Sequence, residues 1–147
     1  MTWTTSLTGN NGGRRFKTLG VIIHSTRGGA SSPESEYAAA VRWFLNYASN
    51  VSAHRVINVD GDGTICVEDD NIAWHAVGYN AEWLSVELVQ PTAADPFTED
   101  QYETLQALLA EWSNKYGFFI DQDHVKGHED VDSRKSDPGY MFNWSRI

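Results

Sequence analysis

The chain has 147 residues, a formal net charge of −9 at pH 7 and 41 % hydrophobic residues, which suits one domain with a single core and excludes a disordered tail. Its acidic balance, with a sequence pI of about 4.8, repels phosphate backbones and anionic headgroups, so nucleic acids and membrane surfaces are disfavoured as partners. No apolar stretch approaches the roughly 20 residues that span a bilayer.

The first 18 residues are polar and glycine-rich, and we interpret them as a loose lead-in to a single domain that covers residues 1–147. They contain no apolar run of the kind that a Sec signal peptide needs, so we expect no such signal. The segment LGVIIHST, residues 19–26, is apolar and β-branched, which predicts a buried strand with His24 near its end. A loop, RGGASSP, follows this strand.

A helix is predicted over SSPESEYAAAVRWFLNYAS, residues 31–49. Ser32 suits the N-cap and Pro33 the first helical position, while Glu34 and Glu36 favour the positive end of the helix dipole. The apolar residues recur at helical spacing and form one stripe, which consists of Tyr37, Val41, Phe44, Leu45 and Ala48. We expect this stripe to face the core.

The middle of the chain predicts a hairpin and a further strand. SAHRVINV, residues 52–59, alternates like a strand, DGDG makes a tight turn, and TICVE returns as a second strand. Cys66 is the only cysteine, so a disulfide within the chain is impossible. A catalytic thiol is the alternative, but the apolar surroundings favour a small buried core residue. WLSVELVQ, residues 83–90, predicts another strand.

The clearest predicted helix is TEDQYETLQALLAEWSNKYG, residues 98–117. Thr98 and Gln101 fit a capping box, and Gly117 ends the helix. Its apolar stripe consists of Tyr102, Leu105, Leu109, Trp112 and Tyr116. A last short strand around residues 124–126 completes an alternation of strands and helices, which predicts an α/β fold with a central mixed β-sheet flanked by helices.

A dense polar segment near the C-terminus, GHEDVDSRKSDPGY, is the strongest candidate for a functional site. His128 and Asp137 are residue types that bind zinc, and a catalytic zinc site needs three protein ligands and one open position. His24 is the natural third ligand because it lies at the C-terminal end of a buried strand. The alternatives are a solvated loop, a structural His24 and an Asp137 that caps a helix beginning at Pro138.

The segment GHEDVDSRKSDPG closely resembles the C-terminal zinc motif of the type 2 N-acetylmuramoyl-L-alanine amidases. That family includes phage lysins, cytoplasmic muropeptide-recycling amidases and peptidoglycan recognition proteins. Four earlier segments resemble the family in the same order: VIIHST its first zinc strand, VSAHRVINVDGDGTI its central hairpin, AWHAVGYN its groove loop and LSVELVQ its glutamate strand. The resemblance runs from about residue 19 to residue 144 and implies the fold of this family, with no separate wall-binding domain.

The resemblance implies that His24, His128 and Asp137 bind Zn²⁺. Many lysins have cysteine at the third ligand position, whereas this chain has aspartate, as the recycling amidases do. Glu87 would be the general base, because strand alternation turns it away from Val86 and Leu88 and a buried carboxylate needs a partner. The alternative for Glu87 is a solvent-facing position on an edge strand.

A tyrosine that replaces the base in some lysins falls at Ala53 here, which strengthens the interpretation of Glu87 as the base. Lys135, two residues before Asp137, would stabilise the developing oxyanion, and an ordinary solvated lysine is the alternative.

The groove loop AWHAVGYN supplies the predicted substrate contacts, which are Trp74, His75 and Asn80. His75 would contact substrate or support the oxyanion, while core packing is an equally good interpretation of Trp74. We interpret His54 as structural and His124 as exposed or satisfied by a neighbour.

These residues together predict a zinc-dependent hydrolase that cleaves the amide bond between N-acetylmuramic acid and L-alanine. The short loops suggest an open groove, so we expect a monomeric, phage-type endolysin that is made in the cytoplasm and acts on the glycan strands and stem peptides of peptidoglycan after release. The alternatives are a cytoplasmic muropeptide-recycling amidase and a non-catalytic peptidoglycan-binding module.

Overall fold

Short strands and two long helices account for most of the ordered backbone in the computed structural model, which describes residues 1–147. Strands β1 to β8 span Trp3–Thr5, Asn11–Arg14, Gly20–Ser25, Arg55–Ile57, Gly63–Ile65, Asn71–Ala73, Trp83–Leu88 and Val125–Gly127. Helices α1 to α3 span Pro33–Leu45, Glu99–Tyr116 and His128–Val131, and short 3-10 turns lie at Tyr47–Ser49 and Trp144–Arg146.

Six of the strands form one mixed sheet in the order β1-β5-β4-β7-β3-β8. The β4–β5 hairpin is antiparallel, and every other neighbouring pair is parallel. Strands β2 and β6 form a separate antiparallel pair. The predicted α/β fold with a central mixed sheet is therefore confirmed. No helix in the structure is both long enough and apolar enough to cross a bilayer.

The first 18 residues differ from the predicted loose lead-in, because they contain two strands. Strand β1 pairs in parallel with β5, and the Trp3 ring lies where a side chain on Gly63 would otherwise be. The Arg55 guanidinium stacks 5.5 Å from the centroid of the same ring. Strand β2 pairs with β6, which was also absent from the predicted elements. These strands depend on partners about sixty residues away and carry no local hydrophobic pattern.

Helix α1 begins as predicted but ends earlier. The Ser32 hydroxyl accepts a hydrogen bond from the Ser35 amide at 3.2 Å, and Pro33 follows at the first helical position. The helix ends at Leu45, because the Asn46 side chain accepts from the Ala48 amide and starts a 3-10 turn. Ala48 therefore lies beyond the helix and is exposed. Leu45, the last helical residue, is 43 % exposed, so the predicted places of both residues in the buried stripe are wrong.

Helix α2 closely follows the prediction. Thr98 and Gln101 form the capping box, with backbone-to-side-chain bonds of 3.1 and 3.0 Å, and Gly117 ends the helix at φ 77°. The buried side chains of α2 pack on one face of the sheet and form the main core with Val21, Ile23, Ile57, Leu84, Val86 and Leu88. Burial of each such side chain contributes about 1.5–3 kcal/mol, so this layer supplies most of the hydrophobic stabilisation.

Helix α1 covers a smaller core that includes Phe44, Val56 and Cys66. Burial raises the pKa of the Cys66 thiol to about 12, so this residue is a protonated core residue, as predicted. The parallel register places His24 directly opposite Glu87, and Glu87 opposite Val56 on the other neighbouring strand. Paired residues of parallel strands face the same side, so His24 and Glu87 share the face away from α2.

Candidate metal centre and groove

Three parts of the fold bring the candidate ligands together. His24 is near the end of β3, in the interior of the sheet. Strand β8 pairs with β3 on its other side, and His128 follows β8 directly as the first residue of α3. Asp137 returns from the polar segment, and its backbone carbonyl accepts from the Glu129 amide at 2.9 Å. That bond closes the ligand loop, so the two ligands at its ends stay close together.

The three candidate ligand atoms are grouped closely. The Nδ1 atoms of His24 and His128 are 3.0 Å apart, and the Asp137 carboxylate lies 3.2 Å from the second and 3.5 Å from the first. Ligands held about 2.0–2.1 Å from one tetrahedral zinc ion are roughly 3.3 Å apart, so these separations fit that ion. The predicted ligands are therefore brought together as a candidate metal site.

The charge balance of this cluster also favours a cation. Burial lowers the pKa of His24, and the Asp137 carboxylate offsets only part of that effect. A neutral His24 presents a lone pair, and two ring nitrogens and a carboxylate oxygen that all point inward repel one another unless a proton or a metal ion lies between them. The cluster therefore has the donor set of a metal centre.

The polar segment around the ligands is ordered by its own contacts. Asp137 accepts from the Ser25 amide at 3.3 Å, which ties the segment to β3, and no helix begins after it. Arg27 donates to the hydroxyl and carbonyl oxygens of Ser136 at 2.6 and 3.0 Å. A side chain at Gly139, where φ is 80°, would overlap the Arg27 guanidinium. Because no helix begins after Asp137, its interpretation as a helix cap is wrong.

Glu87 lies at the wall of a cavity of about 360 Å³ that it shares with the three ligands and Lys135. Burial raises the pKa of the Glu87 carboxyl well above its ordinary value, Asp137 and Glu36 raise it further, and only Lys135 opposes them. Lys135 itself is exposed at the rim of the cavity. A carboxyl group with a raised pKa beside a metal site is a candidate for accepting a proton and later returning it.

A second cavity of about 360 Å³ adjoins the first, and we call the two together the groove. They share Val51, Trp74, His75, His128, Arg134 and Lys135. Trp74 and Asn80 line the groove, and their contact with substrate stays a prediction. The side-chain Oδ1 of Asn80 also accepts from the backbone amides of His75 and Ala76, each at 2.8 Å, so this residue shapes its own loop.

The remaining histidines differ sharply in their surroundings. Both ring nitrogens of His75 are engaged by the protein, by the His24 ring at 3.1 Å and the Trp83 carbonyl at 3.0 Å, while the residue also lines the groove. His54 is fully buried and bonded to Ser85 and to the Asn71 carbonyl, so it lies in the core as predicted. His124 pairs with Asp121 at 2.6 Å on the surface.

Sequence reasoning did not find several residues of the groove, which are Arg27, Phe44, Asn50, Val51 and Arg134. Arg134 forms two bonds with the Asp132 carboxylate, at 2.9 and 2.8 Å. Of these residues, only Arg27 has a signal in the sequence, because it follows HST in the loop after a strand that carries a candidate ligand. Phe44 and Val51 resemble ordinary core residues, so no sequence pattern separated them.

Comparison with known proteins identifies the family. Residues 14–140 match the family described as N-acetylmuramoyl-L-alanine amidase. The chain is 35 % identical over 109 residues to the 1,6-anhydro-N-acetylmuramyl-L-alanine amidase AmpD of Haemophilus influenzae. The aligned region covers 68 % of this chain and 58 % of that protein. The chain thus spans little more than half the length of that relative.

Two solved structures show the same fold. A selenomethionine derivative of AmpD superimposes with a TM-score of 0.78 at 23 % identity, covering 97 % of this chain and 90 % of that one. The endolysin amidase LysCS of Clostridium intestinale superimposes with a TM-score of 0.69 at 22 % identity, covering 99 % and 87 %. The family match extends over most of the chain and includes every candidate ligand, and the chain therefore belongs to the N-acetylmuramoyl-L-alanine amidase family.

Proposed function

We propose that this chain hydrolyses the amide bond between N-acetylmuramic acid and L-alanine, with Zn²⁺ held by His24, His128 and Asp137. The observation that carries the proposal is the convergence of these three donor atoms, 3.0 to 3.5 Å apart, beside a carboxyl group on the neighbouring strand. Family membership supports the same reaction. Two imidazoles and one carboxylate match the ligand set of catalytic zinc, which polarises a carbonyl and acidifies water when bound.

Glu87 is the proposed general base and acid. It lies across the strand pair from His24 and lines the same cavity, so its carboxylate is available to the reacting groups. Glu87 takes a proton from the attacking water and later gives it to the departing alanine amine. Its environment raises the pKa of the carboxyl group, which makes Glu87 a stronger base for the first transfer.

Lys135 is the proposed partner of the developing oxyanion. It lies at the cavity rim two residues before Asp137, so the loop that carries a ligand also carries this positive charge. Arg27 and Arg134 line the same cavity. Arg134 is paired with Asp132, so Lys135 and Arg27 supply the positive charge of this rim, which favours a substrate that bears carboxylates, such as a stem peptide.

The proposed substrate is a soluble 1,6-anhydro-muropeptide. The relative named above is described as an amidase of that substrate, and the resemblance of the polar segment implies an aspartate ligand at Asp137 like that of the recycling amidases. The expected phage-type endolysin rested on short loops, and the likeness to solved endolysins is a likeness of fold alone. The comparisons thus favour the alternative of a recycling amidase, and wall hydrolysis becomes an outcome of the test.

The test is a cleavage assay of the zinc-loaded protein on a purified 1,6-anhydro-muropeptide and on intact peptidoglycan, with products identified by mass spectrometry. We expect release of the L-alanine peptide from both substrates and a higher turnover of the soluble one. Faster release from intact peptidoglycan would support an endolysin. Binding to either substrate with no release would support a non-catalytic binding module and contradict the proposed reaction.

A further inference from the structure

We propose that His75 is a positioning residue that fixes the proton and the ring orientation of His24, so that Nδ1 of His24 faces the metal site. The inference rests on the proposed metal centre and adds a role to it. It concerns His75 as a partner of a ligand, whereas the resemblance implied a contact with substrate.

The proton positions follow from the Trp83 carbonyl. That oxygen lies 3.0 Å from Nε2 of His75 and can only accept a hydrogen bond, so Nε2 carries the hydrogen. In a neutral ring with hydrogen on Nε2, Nδ1 has the lone pair and accepts.

The same reasoning fixes His24. Its Nε2 lies 3.1 Å from Nδ1 of His75, and because that atom is an acceptor, Nε2 of His24 must be the donor. The hydrogen on Nε2 leaves the lone pair of a neutral His24 on Nδ1. This is the atom that lies 3.0 Å from Nδ1 of His128 and 3.5 Å from the Asp137 carboxylate. We call this chain of hydrogen bonds, from the Trp83 carbonyl through His75 to His24, the relay. It leaves the lone pair of His24 on the ligand atom Nδ1 before any metal binds.

Contacts with the backbone and with His24 hold the His75 ring in place. The Trp83 carbonyl belongs to the first residue of β7, the strand that also carries Glu87. The backbone of His75 is held by Asn80, and the rings of His75 and His24 meet edge to face at 84°, with centroids 5.2 Å apart. A ligand whose other nitrogen is held in this way typically loses 10- to 100-fold in metal affinity when the partner is removed.

The test compares His75→Ala, His75→Asn and His75→Gln with the unchanged protein. The Asn Oδ1 is placed like Nδ1 of His75 and still accepts from His24, whereas the Gln amide is placed like Nε2 and keeps only the contact to Trp83. Zinc affinity is measured by competition with a chromophoric chelator, and folding by circular dichroism. His124→Ala serves as the matched control, since that histidine lies on the surface.

We expect His75→Ala and His75→Gln to bind zinc about 10- to 100-fold more weakly, and His75→Asn to stay within a few fold of the unchanged protein. A zinc affinity equal to that of the unchanged protein in all three variants would overturn the proposal. An Asn variant as weak as the Ala variant would also overturn it, because the acceptor would then have no effect.

A second measurement needs neither a variant nor a metal. Two-bond ¹H–¹⁵N correlation spectra of the metal-free protein at neutral pH report the tautomer of each histidine. We expect His24 and His75 both to carry hydrogen on Nε2, and hydrogen on Nδ1 of His24 would overturn the relay. A wild-type protein that shows this tautomer but binds no zinc would overturn the proposed function and leave the relay supported.

Discussion

Two buried histidine clusters lie side by side in this molecule, and they differ in whether their polar atoms are satisfied. The rings of His54 and His24 flank His75, with centroids 6.3 and 5.2 Å from it. Around His54, Nε2 donates to the Asn71 carbonyl at 2.9 Å and Nδ1 accepts from Ser85 at 3.0 Å. Both ring nitrogens of His54 thus have a complementary protein partner, and the Arg15 guanidinium also lies 3.2 Å from Nε2.

The cluster of His24, His128 and Asp137 is built in the opposite way, because its acceptors face one another. A protein tolerates such an arrangement where a cation completes it. Burial alone therefore does not separate structural from functional histidines, since both clusters are buried. The pairing of donors with acceptors separates them, and the following predictions test that distinction.

The largest effect is expected for His24→Ala. Removal of one of three ligands should abolish zinc binding and lower the cleavage rate by at least about 10⁴-fold, as chelation of the unchanged protein should. Zinc content by mass spectrometry and product release measure the two effects. Without metal, the free energy of unfolding of the variant should be at most about 1 kcal/mol below that of the parent, because the substitution removes one of the acceptors that repel one another. A zinc-containing, active variant would contradict the assignment.

Glu87→Gln should separate metal binding from catalysis. The amide keeps the shape of the side chain but cannot accept a proton, so the rate should fall by about 10²- to 10⁴-fold while one zinc per chain remains. Glu68→Gln is the matched control, because that residue is exposed and outside the groove. A rate within a few fold of the parent would show that another group is the base.

A smaller loss is expected for Lys135→Gln. Removal of one charge beside the oxyanion should lower kcat by about 100-fold, equivalent to about 2.7 kcal/mol, with zinc affinity unchanged. Lys17→Gln removes the same charge at an exposed position and should leave kcat unchanged. If only KM rises in the Lys135 variant, the lysine serves binding and not the transition state.

The smallest effect concerns stability near the satisfied cluster. Burial lowers the pKa of His54 to about 3, whereas the unfolded ring takes up its proton near pH 6.5. The unfolded state thus binds more protons between these values, so the stability due to a neutral His54 is complete above pH 6.5. It falls by about 1.4 kcal/mol per pH unit below that.

His54→Gln removes this dependence. Urea unfolding of the metal-free proteins should show that the advantage of the parent over the variant shrinks by about 2 kcal/mol between pH 7 and pH 5. Parallel pH profiles for the two proteins would mean that His54 is protonated in the folded state, and the contrast between the clusters would fail.

The sequence predicted those parts whose signals are local. Helix α2 has its capping box and terminal glycine within 20 residues of sequence. Strand alternation placed Glu87 on the other face of its strand from Val86 and Leu88. The ligand set came from motifs in chain order, and the structure brings those ligands together. Ala48 was misplaced because the Asn46 cap ended the helix one turn early.

Long-range contacts account for what was missed. Strand β1 depends on Gly63, which leaves room for the Trp3 ring. The bond between His75 and His24 joins residues 51 positions apart, and no spacing rule predicts it. Hydrogen-bond direction in such a pair depends on a third group, the Trp83 carbonyl, whose position only the folded chain defines.

Strand β8 has only three residues and lies at the edge of the sheet, where it pairs with β3 alone. A metal ion bound by His24 and His128 would join positions 104 residues apart, across that single pairing. The ion would thus act as a removable cross-link, which restricts the unfolded chain as a disulfide does. Withdrawal of zinc would then let the C-terminal segment from β8 onward fray first, so a protease could distinguish the loaded from the empty protein before any substrate was present.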